Sequence, residues 1–277
     1  MAIVSSNVLF HQGFTFNRWG KIIFLARILE DGPGLEYLNS VCTNEGLKTC
    51  AALPLFNKAV YQEIVLGITA NPEVKNLVLN ALLWDGGINV IGGLSIVNSE
   101  ASTIIRGTFW AYPSKMAYAF VQNSIDQLKT FSVGNQFGST AHLMAINNLF
   151  ESHFPASYQS YINSHQYRGR VNIVTNALNP MYNVVVIFSG IHLLALTYFS
   201  FKSKSYSFIV SKPSLQLVIF SLMGFLISNA MITGGLSAVF DRYQSRVIWL
   251  LPAISLLFAI QLIKRQHKRP FNYFVQD

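Results

Sequence analysis

The spacing of apolar residues changes near residue 180. Upstream they recur every three or four positions among polar residues; downstream they run in long blocks. Trp19 to Glu30, WGKIIFLARILE, puts Trp19, Ile22, Ile23, Ala26 and Ile28–Leu29 on one helix face. Asp31-Gly32-Pro33-Gly34 should stop that helix, because glycine ends helices and proline cannot continue them. With so few charges, the helix fits either a packed core or a membrane surface. Asn98–Tyr112 predicts another helix, and Pro113 can open the next at its first turn. There Met116, Phe120, Ser124, Leu128 and Phe131 keep the three-to-four spacing. Ser139–Phe154, with Leu143, Ile146, Leu149 and Phe150 on one side, predicts a further helix, and Pro155 starts a short one to about Tyr167. Residues 85–97, DGGINVIGGLSIV, hold four glycines and read as a loop with a short extended piece.

Three uncharged apolar segments follow, near residues 181–201, 215–240 and 247–263. Each is close to the roughly 17–25 residues that cross hydrocarbon. Trp249, at the start of the third, suits an interfacial aromatic belt. Composition agrees: 51% of the 277 residues are hydrophobic and 12% charged, where soluble domains carry about 25% charged residues. The expected fold is therefore an all-α membrane protein, with a mostly helical domain over residues 1–180 and about three transmembrane helices in 181–277.

Charge supplies an orientation. The net charge is +8, and residues 1–180 are nearly balanced, so the basic surplus lies in the apolar half. Lys202, Lys204 and Lys212 join the first and second segments, and Lys264, Arg265, Lys268 and Arg269 follow the third. The positive-inside rule puts both clusters in the cytoplasm. Residues 1–180 and the short connection Asp241–Arg246 are then extracytoplasmic. The start, MAIVSSNVLFHQGFTFNRWGK, has no export-signal pattern, which predicts either transmembrane segments upstream or unconventional export. No basic face with interleaved aromatics marks a nucleic-acid partner. Membrane lipids are the expected partners.

Cys42 and Cys50 are the only cysteines and flank a turn-rich stretch. On the extracytoplasmic side they predict a disulfide; the alternative is two buried thiols. One pair cannot make a zinc site, and His142, His153 and His165 are too widely spaced for a ligand cluster, so no metal is expected. Gly86-Gly87 and Gly92-Gly93 lack the Lys-Ser/Thr of a phosphate loop, and no Gly-x-Ser-x-Gly elbow or Asp-rich motif is present. No cofactor is expected.

The most distinctive string is Asp241-Arg242-Tyr243-Gln244-Ser245-Arg246, with Pro252 beyond it. Arginine pairs planar anions bidentately, so Arg242 and Arg246, with Asp241 to orient a guanidinium and Tyr243 to donate a hydroxyl, form a candidate lipid-phosphate site. The plainer reading is a tight turn whose arginines snorkel to headgroups. Arg27 and Asp31 form a second polar pair at a helix end, and Arg27 joins the candidate anion-binding set. His192 and Asn229 lie inside spans, where polar groups either serve function or bridge helices.

Several stretches together resemble a group of uncharacterised, mostly proteobacterial polytopic membrane proteins. They are Phe24–Pro33, Tyr37-Leu38, Cys42, Leu83-Trp84, Tyr112-Pro113, Asn123, Asn229-Ala230, Asp241–Val247 and Trp249–Pro252. That group has no activity to carry over. Arg242-Tyr243 followed by Pro252 also resembles the GT-C class of membrane glycosyltransferases, which use polyprenyl-phosphate sugars. That likeness implies a polyprenyl-phosphate lipid as partner and this chain as the C-terminal portion of such an enzyme. The class keeps its catalytic carboxylate in the first outside loop, after a first span that this chain lacks. The sequence thus leaves three expectations: an inner-membrane protein of envelope biology without assigned activity, part of a lipid-linked sugar transferase, or a transport component lined by polar span residues.

Overall fold

A computed structural model describes residues 19–44, 46–67, 77–133, 147–202 and 212–267. Lys204, Lys268, Arg269 and His142 lie outside the described residues, as does the 139–146 part of the helix expected over Ser139–Phe154. Among the described residues the chain is helical, without strands. It packs as two compact units. The first runs to Ser124 and includes Met231–Ala238; the second comprises Ile125–Ala230 and Val239 onward. This packing partition differs in kind from the hydropathy division near residue 180.

The first unit is built around helix α1 (Gly20–Glu30). Ile22, Leu25, Ala26, Ile28 and Leu29 are all fully or almost fully buried. A helix apolar nearly all round belongs in a core, and α1 packs there, against α2 (Pro33–Val41) and two later helices. Each fully buried Leu or Ile contributes on the order of 1.5–3 kcal/mol before chain entropy is counted. Gly32 makes the corner with φ +98, a conformation that L side chains avoid, and Pro33 opens α2. The turn is so tight that a Cβ on Gly34 would lie 2.9 Å from the Ile28 carbonyl.

Cys42 caps α2 and sits at disulfide distance from Cys50, with Cα atoms 5.7 Å apart. Cys50 belongs to a 3-10 turn, Lys48–Ala52, that leads into α3 (Leu53–Gly67). Helix α4 (Leu77–Leu83) is capped by the last residue of α1, since Glu30 Oε2 accepts the Leu79 N–H at 2.8 Å. That satisfies one of the amides a helix start leaves unpaired.

The glycine-rich stretch 85–97 corrects the sequence reading. It is not a loop with an extended piece: Gly87–Ile91 form a short helix, α5. The glycines are its punctuation. Gly86, Gly92 and Gly93 take positive φ at its two ends. Gly87 lets it approach α4, where a Cβ would lie 2.6 Å from the Ala81 carbonyl oxygen. Gly93 then caps α6 (Leu94–Ala111), which begins four residues before the predicted start. Pro113 opens α7 (Pro113–Lys129) as its position predicts. The returning segment Met231–Gly235 forms a wide turn; its Gly235 leaves only 2.5 Å between a hypothetical Cβ and the Phe120 ring.

The second unit contains α8 (Asn147–His153), α9 (Pro155–Ile162), α10 (Arg170–Lys202), α11 (Lys212–Ala230), α12 (Asp241–Ile248) and α13 (Leu250–His267). Three stretches are long and apolar enough to cross a membrane: Arg170–Phe199, Gln216–Gly235 and Asp241–Lys264. Val186, Leu193, Ile219, Leu222, Leu226 and Phe258 pack between them, while Phe188, Leu194, Leu217, Phe220, Leu256 and Leu257 point outward, each well exposed. Such a surface suits lipid rather than water.

Boundaries move in three places. The first apolar helix starts at Arg170 rather than near residue 181, and Pro180 sits inside it. The second ends at the Met231–Gly235 turn rather than near residue 240. The expected connection Asp241–Arg246 is itself helical. Gln244 and Ile248, four residues apart, face inward, while Asp241 in the first turn and Arg246 in the last complement the helix dipole.

Candidate functional site

Helix α12 carries four of the five candidate residues. Its start is clamped from α7 and the residues after it. Gln127, fully buried, accepts the Phe240 N–H at 3.0 Å and donates to the Phe240 carbonyl at 2.9 Å. One side-chain amide thus fixes both polar groups of the residue that precedes the helix. Asp241 Oδ1 accepts the Ser132 N–H at 2.8 Å, so this carboxylate anchors the helix start. Behind the helix, Asn229 donates to Gln244 Oε1 at 2.8 Å and to the Tyr243 carbonyl at 3.2 Å.

With one face held, the other presents its cations. Arg242 and Arg246 are four residues apart, both exposed, and residues at that spacing are neighbours on a helix surface. The Arg242 guanidinium lies 4.7 Å from the Phe240 ring centroid and 5.1 Å from that of Tyr243. Contact with two rings restricts the rotamers of this exposed side chain. Tyr243 Oη is 3.5 Å from Arg242 Nη2, at the limit of a hydrogen bond. Trp249 donates its indole N–H to the Arg246 carbonyl at 2.8 Å and is itself exposed. The result is a surface of two arginines and a tryptophan at the start of an apolar helix. It can hold an anionic group through planar N–H donors.

Arg27 has a different setting. It lies in the first unit, where it is paired with Asp31. Its Nε donates to Asp31 Oδ1 at 2.9 Å and its Nη2 to Asn123 Oδ1 at 3.1 Å. Asn123 Nδ2 closes the ring onto both Asp31 oxygens at 3.0 and 3.1 Å. The Arg27 and Asp31 side chains are only 7% and 9% exposed. Within the first unit, therefore, the Arg27 cation has a structural partner.

Glu100 of α6 makes a comparable closed contact. Its carboxylate accepts the Lys48 N–H at 2.8 Å, the Thr49 N–H at 2.9 Å and the Thr49 hydroxyl at 2.7 Å. Burial raises its pKa, but the Thr49 hydroxyl, the two amides and the Lys48 charge together outweigh it, leaving the carboxyl below its usual range.

Within the apolar helices, His192 Nδ1 lies 2.7 Å from Ser255 Oγ and links α10 to α13, and Asn229 links α11 to α12. Both thus bridge helices. The sequence reading gave no role to Gln127 or Gln244, each fully buried. It also passed over Asn179, which grips the backbone N–H and carbonyl of Val133 at 2.7 and 3.0 Å. No protein-family model, curated protein or solved structure matches the chain.

Proposed function

We propose that this chain is a multi-pass protein of the bacterial inner membrane that holds an anionic lipid headgroup on the Arg242–Arg246 face of α12. The observation that carries the reading is the pairing of two exposed arginines, one helical turn apart, at the start of an apolar helix whose opposite face is pinned. The basic residues at alternate connections favour a cytoplasmic C-terminus, and with it an extracytoplasmic α12. Reporter fusions after Phe201 and Asp277 test that orientation; exported behaviour at both positions refutes it.

A lipid diphosphate suits the two guanidiniums better than a single phosphate, because each can take one phosphoryl group bidentately. This links the site to the second reading, the C-terminal part of a polyprenyl-phosphate-sugar transferase. That reading is favoured by Arg242-Tyr243 on the exposed face and by Pro252 in the first turn of the following helix. Under it the catalytic carboxylate lies on another segment, as that class keeps it in an earlier outside loop, while Asp241 anchors the start of α12 through the Ser132 amide. The test is native mass spectrometry of the full chain with anionic phospholipid and with a polyprenyl diphosphate. Arg242→Ala/Arg246→Ala should lose lipid adducts at unchanged melting temperature. Equal retention by wild type and the double variant refutes the site.

A further inference from the structure

The corner where α6 meets α7 reverses the pattern of the first unit. Phe109 is 51% exposed and Trp110 72%, with their rings edge to face and centroids 5.8 Å apart. On its other side the same helix is firmly seated. Ile104 and Thr108 are fully buried, and the Thr108 hydroxyl donates to the Ile104 carbonyl at 2.8 Å. The two rings are therefore held outward from a packed helix. An aromatic side chain covers on the order of 150–250 Å², and leaving that area in water forgoes roughly 25 cal/mol per Å².

The charges around the corner have one sign along the chain. Between Glu100 and Asp126 there is no carboxylate; the charged residues are Arg106 and Lys115, both exposed. Lys115 pairs with Glu36 at 2.6 Å and lies 5.1 Å from the Tyr112 ring centroid; the other cation, Arg106, precedes Phe109 by three residues on α6, a spacing that makes helix neighbours. Exposed Trp and Phe beside a basic side chain match the headgroup layer of an anionic bilayer, with rings at the acyl boundary and the cation among phosphates. The corner is also covalently continuous with three helices apolar enough to cross a membrane, so a bilayer is always at hand.

We propose that the Phe109–Trp110 corner inserts into the headgroup region of an anionic bilayer as an attachment separate from the spans and from the α12 arginines. The proposal rests on the reading that the three apolar helices cross the membrane. The experiment uses the full chain in nanodiscs of phosphatidylethanolamine and phosphatidylglycerol, with Cys42 and Cys50 left oxidised. Nitroxide labels are placed singly by Trp110→Cys, Phe109→Cys, Ser99→Cys and Leu194→Cys, and collisions with oxygen and with an aqueous nickel chelate are compared. Leu194, outward on α10, reports the membrane reading, and Ser99, exposed on α6, reports water. Labels at 109 and 110 should favour oxygen as at 194, and the label at 99 should favour nickel. If 194 favours oxygen while 109 and 110 favour nickel, the corner stays in water and the proposal fails. If 109 and 110 are shielded from both probes, a protein surface covers them and it fails equally. If 194 favours nickel, the membrane reading itself falls, and the proposal with it. Phe109→Cys serves as the second variant should Trp110→Cys lower the melting temperature.

Discussion

Arg27 and the α12 arginines carry the same side chain in opposite settings. Arg27 is enclosed with Asp31 and Asn123, each partner satisfying the others. Arg242 and Arg246 stand exposed on a surface, Arg242 stacked on the Phe240 and Tyr243 rings, while Asp241 Oδ1 accepts the Ser132 N–H. A cation whose hydrogen bonds are closed inside the fold contributes to structure. An exposed cation held in place on a surface is available to a ligand. The contrast lies in the partners each arginine has within its own unit.

The largest expected effect tests the enclosed site. Arg27→Ala leaves Asp31 buried without its ion partner and should cost about 3–5 kcal/mol, read as a large drop in melting temperature of the purified chain. Arg27→Met with Asp31→Leu removes both charges and should recover most of that loss. If Arg27→Ala melts like wild type, the network is not structural and the contrast collapses. Gly34→Ala and Gly87→Ala come next. Both would press a Cβ into backbone at 2.9 and 2.6 Å, which no side-chain rotation relieves, and each should cost about 1–3 kcal/mol by the same measurement.

Glu100 gives a pH-dependent test. Its folded carboxyl titrates below the ordinary range, so its contribution to stability is present above the unfolded value, about 4.3. That contribution is lost as pH falls through the lower folded value. Glu100→Gln should cost about 1–2 kcal/mol near neutrality, and the gap between variant and wild type should narrow in acid. A gap that is constant from neutral to acid pH would show that ionisation of Glu100 is not what holds the Lys48–Thr49 turn.

These sites differ in how legible they were. Amphipathic spacing revealed α1 and α7, and unbroken apolar runs revealed the three long helices, because burial and lipid contact both select on side-chain polarity. Helix ends were harder. Pro180 lies inside α10 although proline usually marks a boundary, and Gly86, Gly92 and Gly93 signal caps as readily as a loop. Asp241–Arg246 looked like a connection because its one buried position is Gln244, and a buried glutamine does not register in an apolar pattern. The Arg27–Asp31 pair is visible at four-residue spacing, but nothing local says that Asn123, more than ninety residues on, closes the ring. Likewise, only the fold reveals that Gln127 clamps Phe240.

The smallest effect on stability should come from the exposed arginines, and it bears most directly on the proposed function. Arg242 and Arg246 lie on the surface, so substitution of either should change stability by no more than about 0.5 kcal/mol. Binding should respond more. Arg242→Lys keeps the charge but loses the planar fork and most of its stacking on Phe240 and Tyr243. If α12 reads a phosphate bidentately, Arg242→Lys should lose lipid nearly as fully as Arg242→Ala. Arg246 has no ring stacking among its described contacts and should tolerate lysine better. If charge alone attracts the headgroup, both lysine variants should retain lipid like wild type. Native mass spectrometry of the single variants at matched melting temperature distinguishes these outcomes. Full retention by Arg242→Lys would reduce the site to a basic surface and remove the case for a shaped phosphate-binding face.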